Sequence, residues 1–255
     1  MIDLHCHILP NVDDGPKNVN ESIKMAKMAI KEGISTIIAT PHHRNEKYEN
    51  SSSFIFKQVE EFNRVLKEEK IELTILPGQE TRIYGEMIQG LENGEILSLN
   101  NNGKYVFVEL PSGHVPRYTT QLLFDIQMKG FIPIIVHPER NQEIIENPEL
   151  LYQLVKKGTL TQVTASSISG HFGKTIKKFA LQLIEANLTH FVASDAHNTT
   201  SRSFKMVEAY DVIGKKFGIE HIYMFQENAE FLVKGLNVYK EVPERVKKKK
   251  LLGLF

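Results

Sequence analysis

The chain of 255 residues contains no tryptophan and a single cysteine, Cys6. One thiol excludes an internal disulfide framework and fits a reducing compartment. No apolar run approaches the ~18 residues that a membrane-crossing helix requires. Neither charge sign is in excess: Lys+Arg and Asp+Glu both number 31, for a formal net charge of +0. A balanced surface gives no ground for binding nucleic acid, which calls for a basic face. No repeat or low-complexity linker divides the chain, so one domain is expected over residues 1–245. The opening residues read as a strand and not as a leader, so no signal peptide is expected before His5, and the chain is expected in the cytoplasm.

What is present begins with His5-Cys6-His7, inside the apolar run 1–9. Residues two apart on a strand share a face, so His5 and His7 are expected side by side and Cys6 on the opposite face, as packing. A second pair, Asp195 and His197, closes the run 190–197. Further β-branched or apolar runs lie at 35–40, 74–78, 105–110, 132–136, 160–165 and 191–193. Amphipathic helices are expected between them. In 21–32, Ile23, Ala26 and Ile30 have helical spacing, as do Phe56, Val59, Phe62 and Leu66 in 53–69. Gly33, Gly130 and Gly158 sit where a helix stops before the next strand.

Polar residues mark the strand ends: His7, His42, Glu80, Glu109, His137, Ser166 and Asp195. They recur at roughly 30 residues, about one βα unit each. This pattern predicts an α/β fold with a closed or nearly closed parallel barrel, in which chemistry gathers at the C-terminal strand ends. His5, His7, Asp14, His42, Glu80, Glu109, His137, Asp195 and His197 all follow or end these strands. Buried imidazoles and carboxylates are costly unless paired or metal-bound. The set exceeds what one ion can use and suits two or three ions sharing carboxylates. With no thiolate, it suits Mn, Fe or Zn.

The motifs His5-Cys6-His7, Asp13-Asp14-Gly15, Thr40-Pro41-His42-His43, Gly78-Gln79-Glu80, Val108-Glu109, His137-Pro138-Glu139-Arg140 and Ser194-Asp195-Ala196-His197 stand in this order. Together they resemble the PHP (polymerase and histidinol phosphatase) superfamily. The resemblance is closest to its branch of bacterial tyrosine-protein phosphatases from capsular and exopolysaccharide operons. It implies a distorted (β/α)7 TIM-like barrel, a trinuclear site usually supplied with Mn2+, and hydrolysis of phosphotyrosine. The usual substrate in that branch is the tail of a membrane-linked bacterial tyrosine kinase that governs polysaccharide synthesis. By position, His5 and His7 would hold a first ion with Glu80 and Asp195. Glu80 would bridge to a second ion held by Glu109 and His137. Asp14, His42 and His197 would hold the third, and Asp13 is left unassigned.

Arg140, just past His137, and Arg202, in the loop after His197, are candidate phosphate clamps, because a guanidinium can hold two phosphate oxygens at once. Tyrosinate, with a phenol pKa near ~10, leaves without a strong general acid. His43 is open to such a role or to a structural one. A thiolate mechanism is excluded on spacing: it needs Cys and Arg six apart, and Val12 stands six residues after Cys6. The polar loop 45–53 with Tyr48 either shapes access or merely connects. Tyr118 and Phe172 either stack on a substrate ring or pack. The basic and apolar tail 246–255 either touches anionic lipid or is a solvated terminus. The rival activities are hydrolysis of a small monoester such as histidinol phosphate, DNA end-processing, and a silent scaffold that would be expected to lack ligands.

Overall fold

Short parallel strands, with side chains alternating between two apolar layers, organise the molecule. The strands are β1 (Ile2–Cys6), β2 (Thr36–Ala39), β3 (His42–His43), β4 (Thr74–Pro77), β5 (Glu80–Arg82), β6 (Tyr105–Glu109), β7 (Ile132–Val136), β8 (Leu160–Thr164) and β9 (Phe191–Ala193). The helices are α1 (Val19–Lys31), α2 (Ser52–Glu68), α3 (Met87–Glu92), α4 (Thr119–Met128), α5 (Gln142–Glu146), α6 (Glu149–Lys156), α7 (Ala165–Ser169), α8 (Lys174–Glu185), α9 (Met206–Phe217) and α10 (Ile219–Val233). The computed structural model describes residues 1–247. Of the tail expected over 246–255, Val246 packs against the core, and the part beyond Lys247 lies outside the described residues. Among the described residues, no helix is long and apolar enough to cross a membrane.

All named strand pairs are parallel, in sheets ordered β1-β2-β4 and β3-β5-β6-β7-β8-β9. The runs expected at 35–40 and 74–78 form β2 and β4, and each is followed, after a short break, by a further strand that was not expected, β3 and β5. One break falls at Thr40-Pro41, where proline has no N–H for the ladder. The other falls at Gly78-Gln79. There a Cβ on Gly78 would lie 2.5 Å from Ile38 Cγ2, so only glycine permits the close approach. After the breaks the chains pair again, with His42 in register with Glu80 and His43 with Thr81. The first and last strands meet as well. The His7 N–H donates to the Ala196 carbonyl (2.9 Å) and the Asp195 N–H to the His5 carbonyl (2.8 Å).

Alternation with period two sorts the strand side chains into two layers. Leu4, Ile38, Phe107, Ile134, Leu160 and Phe191 meet in one cluster, joined by Leu99, Ala229 and Leu232. Ile37, Ile75, Val106, Ile135, Val163 and Val192 face the other way, in a cluster that includes Met25, Phe62, Leu123 and Leu183 of the helices. Burial of each large apolar side chain contributes ~1.5–3 kcal/mol, so both layers stabilise the strand ends that carry the polar residues. Cys6 is fully buried in the helix-facing layer. The register of β1 on β2 slips between Asp3 and Cys6, a bulge of the kind found beside active sites. Leu4 shares the Phe107 cluster, and the next residue, His5, lies against the Phe107 ring.

His190, just before β9, is buried, and its Nδ1 accepts from the Thr161 N–H (3.1 Å). Burial, helped by Lys240, pushes its pKa down to about 3, against ~6.5 when unfolded. Between those values the unfolded chain binds the extra proton, so stability falls as pH drops below ~6.5. By pH 5 the loss from this one ring is ~2 kcal/mol. His190→Gln, which cannot titrate, should show a correspondingly smaller loss of urea-unfolding free energy between pH 7 and pH 5. An equal loss in both proteins would remove His190 as an acid-sensitive point.

Candidate metal centre

The buried carboxylate of Glu80, at the start of β5, is the hub of the polar strand ends. Its Oε2 lies 3.4 Å from His5 Nε2, 3.2 Å from His7 Nε2 and 2.8 Å from His42 Nδ1. Its Oε1 lies 2.8 Å from His137 Nε2. Burial alone would raise the pKa of Glu80, but the surrounding histidines, His42 and His5 foremost, hold it well below the usual carboxylate range. Glu109 behaves oppositely: burial and the adjacent Glu80 charge push it up to about 7, against the pull of His42 and Arg82.

Asp195 faces the hub from the opposite end of the chain. Its Oδ1 lies 3.5 Å from His5 Nε2 and 3.4 Å from His7 Nε2. Its Oδ2 lies 2.7 Å from Arg140 Nη2 and 3.2 Å from Arg202 Nη2. Burial raises the pKa of Asp195, yet Arg140 and the histidines outweigh it and keep the group ionised. Asp195 and His137 both have left-handed backbones, with φ of 52° and 38°. Such strain, of order ~1–3 kcal/mol per residue, persists where the surroundings over-determine it and clusters at functional sites.

The exposed end of the cluster is formed by Asp14, whose Oδ1 lies 3.2 Å from His197 Nε2 and 3.5 Å from His42 Nε2. Three overlapping donor groups result: His5, His7 and Glu80; His42, Glu80 and Glu109; and His7, Asp14, His42 and His197. The structure thus brings together every ligand expected from the sequence, with His137 and Asp195 touching these groups through Glu80 and the histidines. The overlap differs in detail from the carried-over assignment, since His7 and His42 each fall into two groups.

The donor set fits divalent cations. Buried His42 Nδ1, Glu80 Oε2, Glu109 Oε2 and His197 Nε2 sit in ion-pair contact within the cluster but make no well-aligned hydrogen bond. An unpaired buried polar group costs ~1–3 kcal/mol, and a cation among them would satisfy these atoms together. Burial, with the neighbouring charges of Arg140 and His7 respectively, pushes His137 down to about 3 and His197 down to about 4. Both rings therefore carry the free lone pair that a metal needs.

Several residues that orient this cluster are absent from the sequence-based set. Asp13, beside the exposed Asp14, has a buried side chain: its Oδ2 lies 2.6 Å from His7 Nδ1 and accepts from the His42 N–H (3.1 Å). The tight turn it occupies needs Gly15, where a Cβ would meet the His7 carbonyl oxygen at 2.3 Å. Gln162 Oε1 lies 2.9 Å from His5 Nδ1. A glutamine within the fully buried strand Leu160–Thr164 was the available signal. Asp3 accepts from the N–H and hydroxyl of Ser194, fastening β1 to the turn that presents Asp195. Arg82, two residues after Glu80 on the same strand, lies 3.0 Å from Glu109 Oε1.

A cleft of about 600 Å³ opens over the cluster, lined by His137, Arg140, Asp195 and Arg202 and by Phe172 and Ile176 on its apolar side. A second lobe, which shares His42, Asn45, Arg82 and Ser112 with the first, is lined by Tyr48 of the loop 45–53. Phe172 therefore faces the cleft, with Arg140 over its ring at 5.5 Å, while Tyr118 is absent from both linings. His43 alternates away from His42 and pairs with Glu95 (3.3 Å), so its place is structural. Cys6 is fully buried, and burial pushes its thiol well above the ordinary range, which rules it out as a nucleophile.

These features match known proteins along the whole chain. A family model described as capsular polysaccharide synthesis, CpsB/CapC, matches residues 1–234. The chain is 52% identical over 255 residues to the tyrosine-protein phosphatase YwqE of Bacillus subtilis, covering 100% of both. A solved structure from work on YwqE of Bacillus subtilis and CpsB of Streptococcus pneumoniae, described as unique metal-dependent tyrosine phosphatases, superposes with a TM-score of 0.95. It shares 52% identity and covers 97% of this chain and 100% of that one. A histidinol phosphate phosphatase from Lactococcus lactis superposes with a TM-score of 0.50 at 12% identity, covering 95% of this chain and 98% of that one; this likeness concerns the fold alone. The chain belongs to the CpsB/CapC family of capsular polysaccharide synthesis.

Proposed function

We propose that this chain is a metal-dependent tyrosine-protein phosphatase that hydrolyses phosphotyrosine on a bacterial tyrosine kinase controlling capsule synthesis. The interlocked imidazole and carboxylate groups, with two arginines converging on Asp195 at the cleft wall, carry the reading. The ions would be three, supplied as manganese, in a phosphatase domain over 1–245 that works in the cytoplasm. His5, His7, Glu80 and Asp195 would hold the first, Glu80, Glu109 and His137 the second, and Asp14, His42 and His197 the third. The backbone bonds between His7 and Ala196 and between Asp195 and His5 support a distorted (β/α)7 barrel whose strand ends encircle the site.

Bound divalent ions lower the pKa of water towards neutrality and offset the charge of phosphate oxygens. The protein's own groups prepare the rest. Asp13 and Gln162 fix the rings of His7 and His5 through their Nδ1 atoms, as partners of metal-bound histidines do. Arg140 and Arg202 each use one nitrogen on Asp195, while the Nε of each is buried without a partner. Both guanidinium groups line the cleft, where their positive charge suits the phosphoryl oxygens of a monoester. Phe172 and Ile176 offer an apolar wall beside Arg140 for the phenol ring.

Exhaustive chelation should abolish hydrolysis of a phosphotyrosine peptide, Mn2+ should restore it, and thiol alkylation should leave it intact. Full turnover by protein shown metal-free by elemental analysis would refute the metal reading. Turnover of the phosphotyrosine peptide should exceed that of histidinol phosphate under the same conditions; the reverse order would assign the site to a small monoester. Arg140→Ala and Arg202→Ala should each lower kcat/KM for the peptide by about 100-fold. An unchanged value in either variant removes that arginine from the clamp.

A further inference from the structure

The geometry points to Arg82 as a positioning residue that fixes how Glu109 presents its carboxylate to the metal cluster. The inference rests on the metal-phosphatase reading above. Arg82 ends β5 and Glu109 ends β6, and the two are direct register partners in the parallel ladder. Strand pairing therefore sets their proximity, not a chance meeting of long side chains.

The guanidinium is anchored before it reaches Glu109. Its Nη1 donates to the Leu110 carbonyl (2.9 Å), and its Nη2 lies 3.0 Å from Glu109 Oε1. With Oε1 engaged, Glu109 Oε2 is left buried without a hydrogen-bond partner, 3.7 Å from His42 Nδ1. His42, Glu80 and Glu109 form one of the donor groups. A carboxylate pinned by one oxygen offers the other as a single donor in a fixed direction. Released, it could rotate or chelate through both oxygens.

The same device appears across the site. Arg140 and Arg202 approach Oδ2 of Asp195 most closely, with a longer Arg202 contact to Oδ1 (3.4 Å), and Oδ1 faces His5 and His7. A surface ion pair is a poor description of Arg82–Glu109, because the Glu109 side chain is only 8% exposed. Lysine could not replace the arginine, since one ammonium lacks the planar fork that meets the carbonyl and the carboxylate together.

The test is Mn2+ binding to metal-stripped wild type, Arg82→Ala and Arg82→Lys, read by equilibrium dialysis with elemental analysis. Hydrolysis of the phosphotyrosine peptide is measured alongside. Arg82→Ala should weaken one of the bound ions by at least about 10-fold and leave the others near wild type. The urea-unfolding midpoint of the metal-free protein should not move. Arg82→Lys should also lose affinity for that ion, and it carries the test if the alanine variant does not fold. A wild-type binding isotherm in both variants overturns the inference. A raised KM with unchanged Mn2+ binding also overturns it and moves Arg82 to the substrate. So does equal weakening of every ion together with a lowered midpoint, which would mark a general structural prop. Failure of the wild type to take up Mn2+ would instead refute the underlying metal reading, and the inference with it.

Discussion

A fully buried carboxylate ringed by imidazoles is the constraint around which the rest of the molecule is arranged. Glu80 meets His5, His7 and His42 through one oxygen and His137 through the other. Removing a charge of this kind from water is expensive unless counter-charge is close. The surrounding rings therefore serve in either of two ways, as partial cations or as ligands that hand the carboxylate a metal. The broken strands follow from the same demand. The interruptions at Pro41 and Gly78 let His42 and Glu80 pair in register at the rim, above strands that remain packed on both faces.

The arginines answer a second electrostatic problem. Asp195 is buried, and its ionisation depends on Arg140 and on the histidines around it. Arg140 and Arg202 thus belong both to the cluster and to the cleft. In CpsB/CapC phosphatases this dual use makes chemical sense. The guanidinium groups that keep Asp195 ionised also line the cleft wall, so the charge of the cluster and the charge of the cleft rest on the same side chains.

Much of the site was legible because its chemistry is carried by strand ends, and strand ends recur at the spacing of a βα unit. His5, His7, His42, Glu80, Glu109, His137, Asp195 and His197 each end or closely follow a predicted strand, and the Asp14 loop was readable from its motif. The residues that aim those ligands were not legible in the same way. Asp13 and Asp14 are chemically identical neighbours, and only the turn at Gly15 decides that one is buried behind His7 and the other exposed beside His197. Gln162 acts across the sheet from a strand that otherwise reads as core. The strands β3 and β5 were hidden because they are very short and polar, with no apolar run to announce them beyond Pro41 and Gly78, and the bulge at Asp3 because strict alternation was assumed for β1.

Cys6 lies between two candidate metal-binding histidines and is sealed in the apolar layer, with its Sγ directed at the Ala196 carbonyl (3.5 Å). Burial and the nearby Asp3 and Asp195 keep its thiol protonated. Peroxide reacts with thiolates that solvent can reach, so the reversible inactivation that oxidants impose on cysteine-dependent phosphatases has no foothold on this sulfur.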